Sequence, residues 1–249
     1  MIKAAKQFLQ IELTGWKKSE IIRTVVSCAV IIGLSLYWRE SLMGIITALT
    51  GVLYVIFGGK GKRTAFIFGT INVLLYAYTS FGAKYYGEVM LNLIYYFPMN
   101  FVGWAMWKKH MNAETGEVVK KRLPSGKRFI IYACTAAAIF IYGMILRKLG
   151  GNLPYIDSMS TVISVTAQIL TILRLTEQWI LWIVVDAVTI IMWSYTFITT
   201  GEGISMVVMW TLYLINGIII LIHWSRELKQ NKEDSKNELL KTLDKENQV

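Results

Sequence analysis

The chain has 249 residues, 55% of them hydrophobic and 17% charged, with a formal net charge of +10. Its mean hydropathy is +0.47, more apolar side chain than a soluble globule of this length can hide, which excludes a soluble domain. The basic residues lie between apolar runs rather than on an amphipathic domain. The charge therefore reads as membrane topology, with a lipid bilayer and not a nucleic acid as partner. Cys28 and Cys134 both fall inside apolar runs without metal-ligand spacing, so neither a disulfide framework, a metal site nor a cofactor is expected.

Residues 1–20 are mixed polar and basic and lack the pattern of a cleavable signal, so the first apolar run is expected to act as an internal anchor. A membrane span needs about 20 apolar residues. Runs of that kind occupy 21–38, 41–59, 64–82, 85–107, 128–148, 156–175, 178–200 and 203–225. A basic loop, 108–127, separates the fourth from the fifth, and a charged tail, 226–249, follows the last. With the N-terminus inside, the cytoplasmic segments hold Lys3, Lys6, Lys17, Lys18, Arg23, Lys60, Lys62, Arg63, the loop cluster, Arg174 and the tail's basic residues. Only Arg39, Lys84, Arg147 and Lys148 fall outside. That asymmetry predicts eight spans with both termini cytoplasmic.

Residues 46–107 and 163–224 read alike when aligned, with Tyr96 on Tyr213, Trp107 on Trp224 and Asn72 on Asp186. Three-span units placed directly in succession would be inverted relative to each other. The extra span 128–148 restores a common orientation. The expected fold is all-α: an additional first helix (21–38), a three-helix repeat (41–107), a linker helix (128–148) and a second three-helix repeat (156–225). Repeats of this kind place a ligand site at their interface near the bilayer midplane.

Helical spacing sorts the polar residues of the spans into stripes. Gly69, Asn72, Tyr76 and Thr79 share one; Asn92, Tyr96, Asn100, Gly103 and Trp107 another; Thr161, Ser164, Gln168 and Thr171 a third. Trp179, Trp182, Asp186, Thr189 and Trp193 line the seventh run, and Trp210, Tyr213, Asn216 and Trp224 the eighth more loosely. Single amides and hydroxyls in membrane helices often serve only to bond a neighbouring helix. The tryptophans at span ends, Trp38, Trp107 and Trp224, read as interfacial anchors. Gly51, Gly69 and Gly103 read as close-packing positions. Asp186 stands apart as the acid well inside a span, where an uncompensated carboxylate costs several kcal/mol. A cationic ligand stacked on aromatic rings would supply its partner.

At these residues the chain resembles the nicotinamide riboside transporter family, the PnuC-type proteins. The matching stretches are GKGKRTAFIFGTINVLLYAY (59–78), YYGEVMLNLIYYFPMNFVGWAMW (85–107), QWILWIVVDAVTIIMWSYTF (178–197) and WTLYLINGIIILIHW (210–224). The resemblance covers roughly 40–225 in order. It implies a three-plus-one-plus-three parallel-repeat core like that of the SWEET sugar transporters, in the inner membrane of a bacterium. It further implies a homotrimer that carries a vitamin by facilitated diffusion, and a cytoplasmic kinase that traps the substrate downstream by phosphorylation. Carried onto this chain, the substrate contacts would be Asn72, Asn100, Gln168, Trp182, Asp186, Tyr213 and Asn216, with Tyr76, Tyr96 and Trp193 as further candidates. The chain departs from the family pattern at Asn100, in place of Gln, and at Asp186, where many nicotinamide riboside carriers have Asn. Related branches carry thiamine or riboflavin. Nicotinamide riboside and thiamine are cationic aromatics, the chemistry that Asp186 among tryptophans favours; riboflavin is neutral.

An intramembrane enzyme would need a nucleophile–base pair, a metal set or paired acids. The spans offer one deep acid, two isolated cysteines and no deep histidine, so no catalytic residues are assigned. A channel would favour a ring of like groups over an aromatic wall. A receptor or assembly subunit stays open at this level, as does a proton-coupled carrier using Asp186.

Overall fold

In a bilayer every backbone N–H and C=O must find its partner within the chain, and an apolar run satisfies this by folding as a helix. The computed structural model describes residues 6, 10–148 and 154–246, and their side chains except at 146, 154, 157 and 238–246. The expectations for Lys3 and for the last three residues of the tail lie outside the described residues. The helices are α1 (Lys18–Tyr37), α2 (Leu42–Lys60), α3 (Thr64–Gly82), α4 (Tyr86–Met90), α5 (Phe97–Lys108), α6 (Ser125–Lys148), α7 (Pro154–Ile172), α8 (Gln178–Thr200) and α9 (Ile204–Glu246). Among the described residues six helices are long and apolar enough to cross a membrane, and Ser158–Ile172 forms a shorter apolar helix. Among the described residues there is no strand, only isolated bridges pairing Met111 with Val118 and Lys121 with Leu175. The protein is a multi-pass, all-helical membrane protein.

Between α4 and α5 the chain stays helical through a π turn, Leu91–Tyr96. Pro98 explains it. Its ring has no N–H to donate and crowds the carbonyl of Ile94, and a widened turn just before it absorbs the misfit. At the other end of the chain, α9 runs unbroken into the charged tail, so residues 226–246 continue the last span as a helix.

The packing partners close a ring. Helix α2 lies against α3, α3 against α5, α5 against α7, α7 against α8, α8 against α9, and α9 returns to α2. Outside it, α1 packs on α2 and α9, and α6 packs on α7. The ring is polar inside and apolar outside. On α3, Ile67, Ile71, Leu74 and Tyr78 face outward while Asn72, Tyr76 and Ser80 are buried. A water-soluble bundle shows the reverse, so the solvent for this outer face is lipid.

One end of the ring gathers the basic linkers. Helix α2 stops at Gly61, whose φ of 81° is the left-handed geometry a glycine adopts without strain. Lys62, fully buried, donates to the carbonyls of Ile11, Thr115 and Gly116 at 2.9, 3.2 and 3.0 Å. All three ammonium hydrogens are thereby used, and burial holds its pKa below the ordinary lysine value. The long loop is tied to the same end: Val118 N–H donates to Gly61 O, Lys121 N–H to Arg174 O, and Thr176 N–H to Lys121 O, each at 2.9 Å. Arg174 reverses the chain between α7 and α8 with a φ of 63°. At the opposite end, Glu40 accepts from Ser205 N–H, and the Tyr85 hydroxyl donates to Met192 O and meets Thr196 Oγ1.

Candidate substrate-binding cavity

The ring encloses a cavity with about 990 Å³ of space unfilled by protein atoms, its open part included. Every ring helix contributes. Helix α2 brings Tyr54, α3 brings Asn72 and Tyr76, and α5 brings Asn100, with Glu88 and Asn92 from the first turns of the same broken span. Ser164, Gln168 and Thr171 come from α7, Trp179, Trp182, Asp186 and Thr189 from α8, and Trp210 and Tyr213 from α9.

Aromatic rings form the walls in contact with one another. Tyr76 lies edge-on to Trp210 at 5.7 Å, Trp210 meets Tyr213 at 4.9 Å, and Tyr96 faces Trp182 at 6.1 Å between centroids. Two of these rings are pinned from behind: Trp193 Nε1–H donates to Tyr76 Oη at 2.8 Å, and Trp182 Nε1–H to Thr171 Oγ1 at 3.0 Å. Such walls suit a flat aromatic ligand.

The polar groups are aimed but only partly used. Asn72 Nδ2 donates to Thr47 O at 2.8 Å, which fixes the amide and leaves its oxygen available. Asn100 Nδ2, Tyr213 Oη and Trp179 Nε1 are buried with no hydrogen-bond partner among the described residues. Leaving each of these unpaired costs roughly 1–3 kcal/mol, a cost that a ligand bearing hydroxyl or amide groups would relieve. Asp186 is 2% exposed, and among the described residues no cation pairs with it. Its Oδ2 rests against α9 at Gly217, 3.8 Å from where a Cβ would stand there.

Close helix approach makes this convergence possible. A Cβ on Gly51 would lie 2.1 Å from Tyr213 Oη and 2.8 Å from Asn72 Nδ2, so only glycine lets both side chains reach inward past α2. Gly69 likewise leaves room for Tyr54 and for the Asn100 oxygen.

A family model described as nicotinamide mononucleotide transporter matches residues 41–226. The chain belongs to this transporter family. Within it, the nicotinamide riboside transporter PnuC of Neisseria mucosa is 38% identical over 87% of this chain and 84% of its own length. That of Haemophilus influenzae is 30% identical over 88% and 94%. A crystal structure of the vitamin B3 transporter PnuC superposes with a TM-score of 0.81 at 36% identity, over 90% of this chain and 98% of the other. The family resemblance read from the sequence is thus correct.

Of the candidates named from sequence, Asn72, Asn100, Gln168, Trp182, Asp186, Tyr213, Tyr76 and Tyr96 line the transporter's cavity. Asn216 and Trp193 are not among its walls. Asn216 donates to Leu212 O on its own helix, and Trp193 stands behind Tyr76. Tyr54, Glu88 and Gln178 line the cavity without having been singled out. The reading of the span-end tryptophans needs correction for two of them. Trp107 and Trp224 are 1% and 0% exposed, and donate to Thr171 O at 3.1 Å and Gly59 O at 2.7 Å. They join ring neighbours instead of sitting in the lipid interface. Trp38, 42% exposed, remains at the surface.

Proposed function

We propose that this protein carries nicotinamide riboside across a bacterial plasma membrane by facilitated diffusion, and that a cytoplasmic kinase traps the substrate afterwards without needing to touch the carrier. The observation that carries this reading is Asp186: a buried carboxylate with no cation partner among the described residues, in an aromatic cavity at the centre of a membrane ring. Nicotinamide riboside supplies what the cavity lacks. Its pyridinium ring is flat, aromatic and positive, and its ribose hydroxyls and carboxamide can meet Asn100, Tyr213 and Trp179. Substrate binding is thus assigned to Asn72, Asn100, Gln168, Trp182, Asp186 and Tyr213, with Tyr76, Tyr96 and Tyr54 completing the walls. Asn216 acts from α9 behind them.

The architecture behind this is an extra first helix followed by two parallel three-helix repeats with α6 as linker. Two features support it. The α5–α7 and α9–α2 contacts are the same junction seen twice. Trp107 and Trp224, which align between the repeats, each donate across that junction to a carbonyl near the end of the first helix of the other unit. Both termini are cytoplasmic, on the side of the basic linkers, and the working assembly is a homotrimer.

Calorimetry on purified protein with nicotinamide riboside, thiamine and riboflavin tests the assignment. Nicotinamide riboside should bind most tightly, and a preference for riboflavin would overturn it. Uptake into vesicles without kinase should stop at equal concentrations inside and out, and a protonophore should not alter it. Concentrative uptake would make Asp186 a proton-coupling residue instead.

A further inference from the structure

A second pocket lies apart from the cavity, at the basic end of the molecule where α1, α2 and α9 meet. Its walls include Lys17, Glu20, Arg23, Lys60, Ile219 and His223. Lys60 is committed to Glu20 at 2.9 Å and Glu117 at 3.0 Å, and His223 lies 3.8 Å from Glu227. Among the described residues neither Lys17 nor Arg23 enters an ion pair, and Arg23 Nε is buried without a hydrogen-bond partner. Lys17 and Arg23 therefore stand at the recess without an ion-pair partner among the described residues, beside a Lys60 shared between Glu20 and Glu117. A buried guanidinium nitrogen left unpaired is costly, and a planar fork of N–H donors is matched by phosphate oxygens.

The position favours a lipid over a free anion. Arg23 stands about 8 Å along α1 from Lys18, the depth of the head-group boundary for a helix entering at its N-terminus. Ile219, part of the pocket wall, is 41% exposed, and on α1 Ile22 and Val26 are 62% and 53% exposed. The mouth thus combines a positive recess with an open apolar flank, as basic recesses between membrane helices do when they hold anionic head groups. Helix α1 sits outside the ring, packed on α2 and α9, and the recess lies at that seam.

We propose that the recess between α1, α2 and α9 binds the phosphate of an anionic phospholipid, held by Arg23 and Lys17. The probe is phosphatidylglycerol, titrated onto delipidated full-length protein and read by native mass spectrometry and by thermal unfolding. Phosphatidylcholine serves as the neutral comparison and inorganic phosphate as the free anion. The wild type should bind phosphatidylglycerol in preference to phosphatidylcholine and unfold at higher temperature with it. R23Q should weaken this at least fivefold, K17Q/R23Q further, and R23K less than R23Q, since the charge survives without the fork. R39Q, at the opposite end, should bind like wild type, and retained nicotinamide riboside binding shows that a variant is folded. Equal phosphatidylglycerol binding by wild type and R23Q, or equal binding of the two lipids, overturns the proposal. Arg23-dependent protection by inorganic phosphate as large as that by the lipid also overturns it, in favour of a free anion.

Discussion

Asp186→Asn changes a charge and almost no shape, so it separates the electrostatic part of recognition from the rest. The carboxylate is 2% exposed and lines the cavity with Trp182, Trp210 and Tyr213, with no cation paired to it among the described residues. A positive ring centred about 4 Å away would be attracted by roughly 4 kcal/mol at the effective dielectric of a partly screened site. Stripping water from the ligand cancels part of this, leaving a net loss of about 1–3 kcal/mol on neutralisation, or roughly a 5- to 150-fold rise in Kd. Nicotinamide riboside and thiamine should both show it in calorimetry. Riboflavin, which is neutral, should bind unchanged or better, because an unpaired carboxylate has been removed from the membrane interior. Equal loss for charged and neutral ligands would mean that the amide deforms the wall. No loss for the cations would refute the pairing and leave Asp186 as a helix-packing residue held at Gly217.

Trp182→Ala should weaken every aromatic ligand by about tenfold whatever its charge, since the stacking face opposite Tyr96 is lost; the same titrations read it. Gly51→Ala forces a methyl within 2.1 Å of Tyr213 Oη and 2.8 Å of Asn72 Nδ2. It should cost about 1–3 kcal/mol of stability or displace both side chains, seen as a lower Tm in detergent together with weaker binding. A cysteine at Glu114 should be protected from membrane-impermeant thiol reagents in intact cells and react after lysis. Labelling in intact cells would place the basic loop outside and refute cytoplasmic termini.

The membrane class and the helical fold were legible because apolar runs of span length have no other way to satisfy their backbones in lipid. The inward residues of α3, α7 and α8 were legible because a polar group every three or four residues marks one face of a helix: Asn72 with Tyr76, Ser164 with Gln168, and Trp182 with Asp186 all line the cavity. Other positions depend on geometry that a stripe does not record. Asn216 lies six residues beyond Trp210, about 120° round the helix from it, and its Nδ2 donates to Leu212 O on its own helix. Tyr54 follows Thr47 and Thr50 at helical spacing on α2, a run of hydroxyls too sparse to single out, and its place in the wall is revealed by its neighbours across the ring. Trp107 and Trp224 were misread because composition gives depth along a span but not which side faces a partner.

The broken helix from α4 to α5 shows how local backbone geometry rescues a pattern that a regular helix would spoil. Glu88, Asn92, Tyr96 and Asn100 all line the cavity, at steps of four residues. On an α-helix each such step overshoots a 3.6-residue turn by about 40°, so three steps would swing Asn100 some 120° from Glu88. The π turn at Leu91–Tyr96 lies in the middle of this series. Its wider i→i+5 ring turns the chain less per residue and takes up the excess, as π bulges at functional sites commonly do. Pro98 requires a break in the regular ladder at this place, and the break returns Asn100 to the same side as Glu88. One imino acid within the stripe, between Tyr96 and Asn100, thus aligns an acid, two amides and a phenol along one wall. The signal for it in the sequence is the Tyr96-Phe97-Pro98 step two residues before Asn100, not the stripe itself.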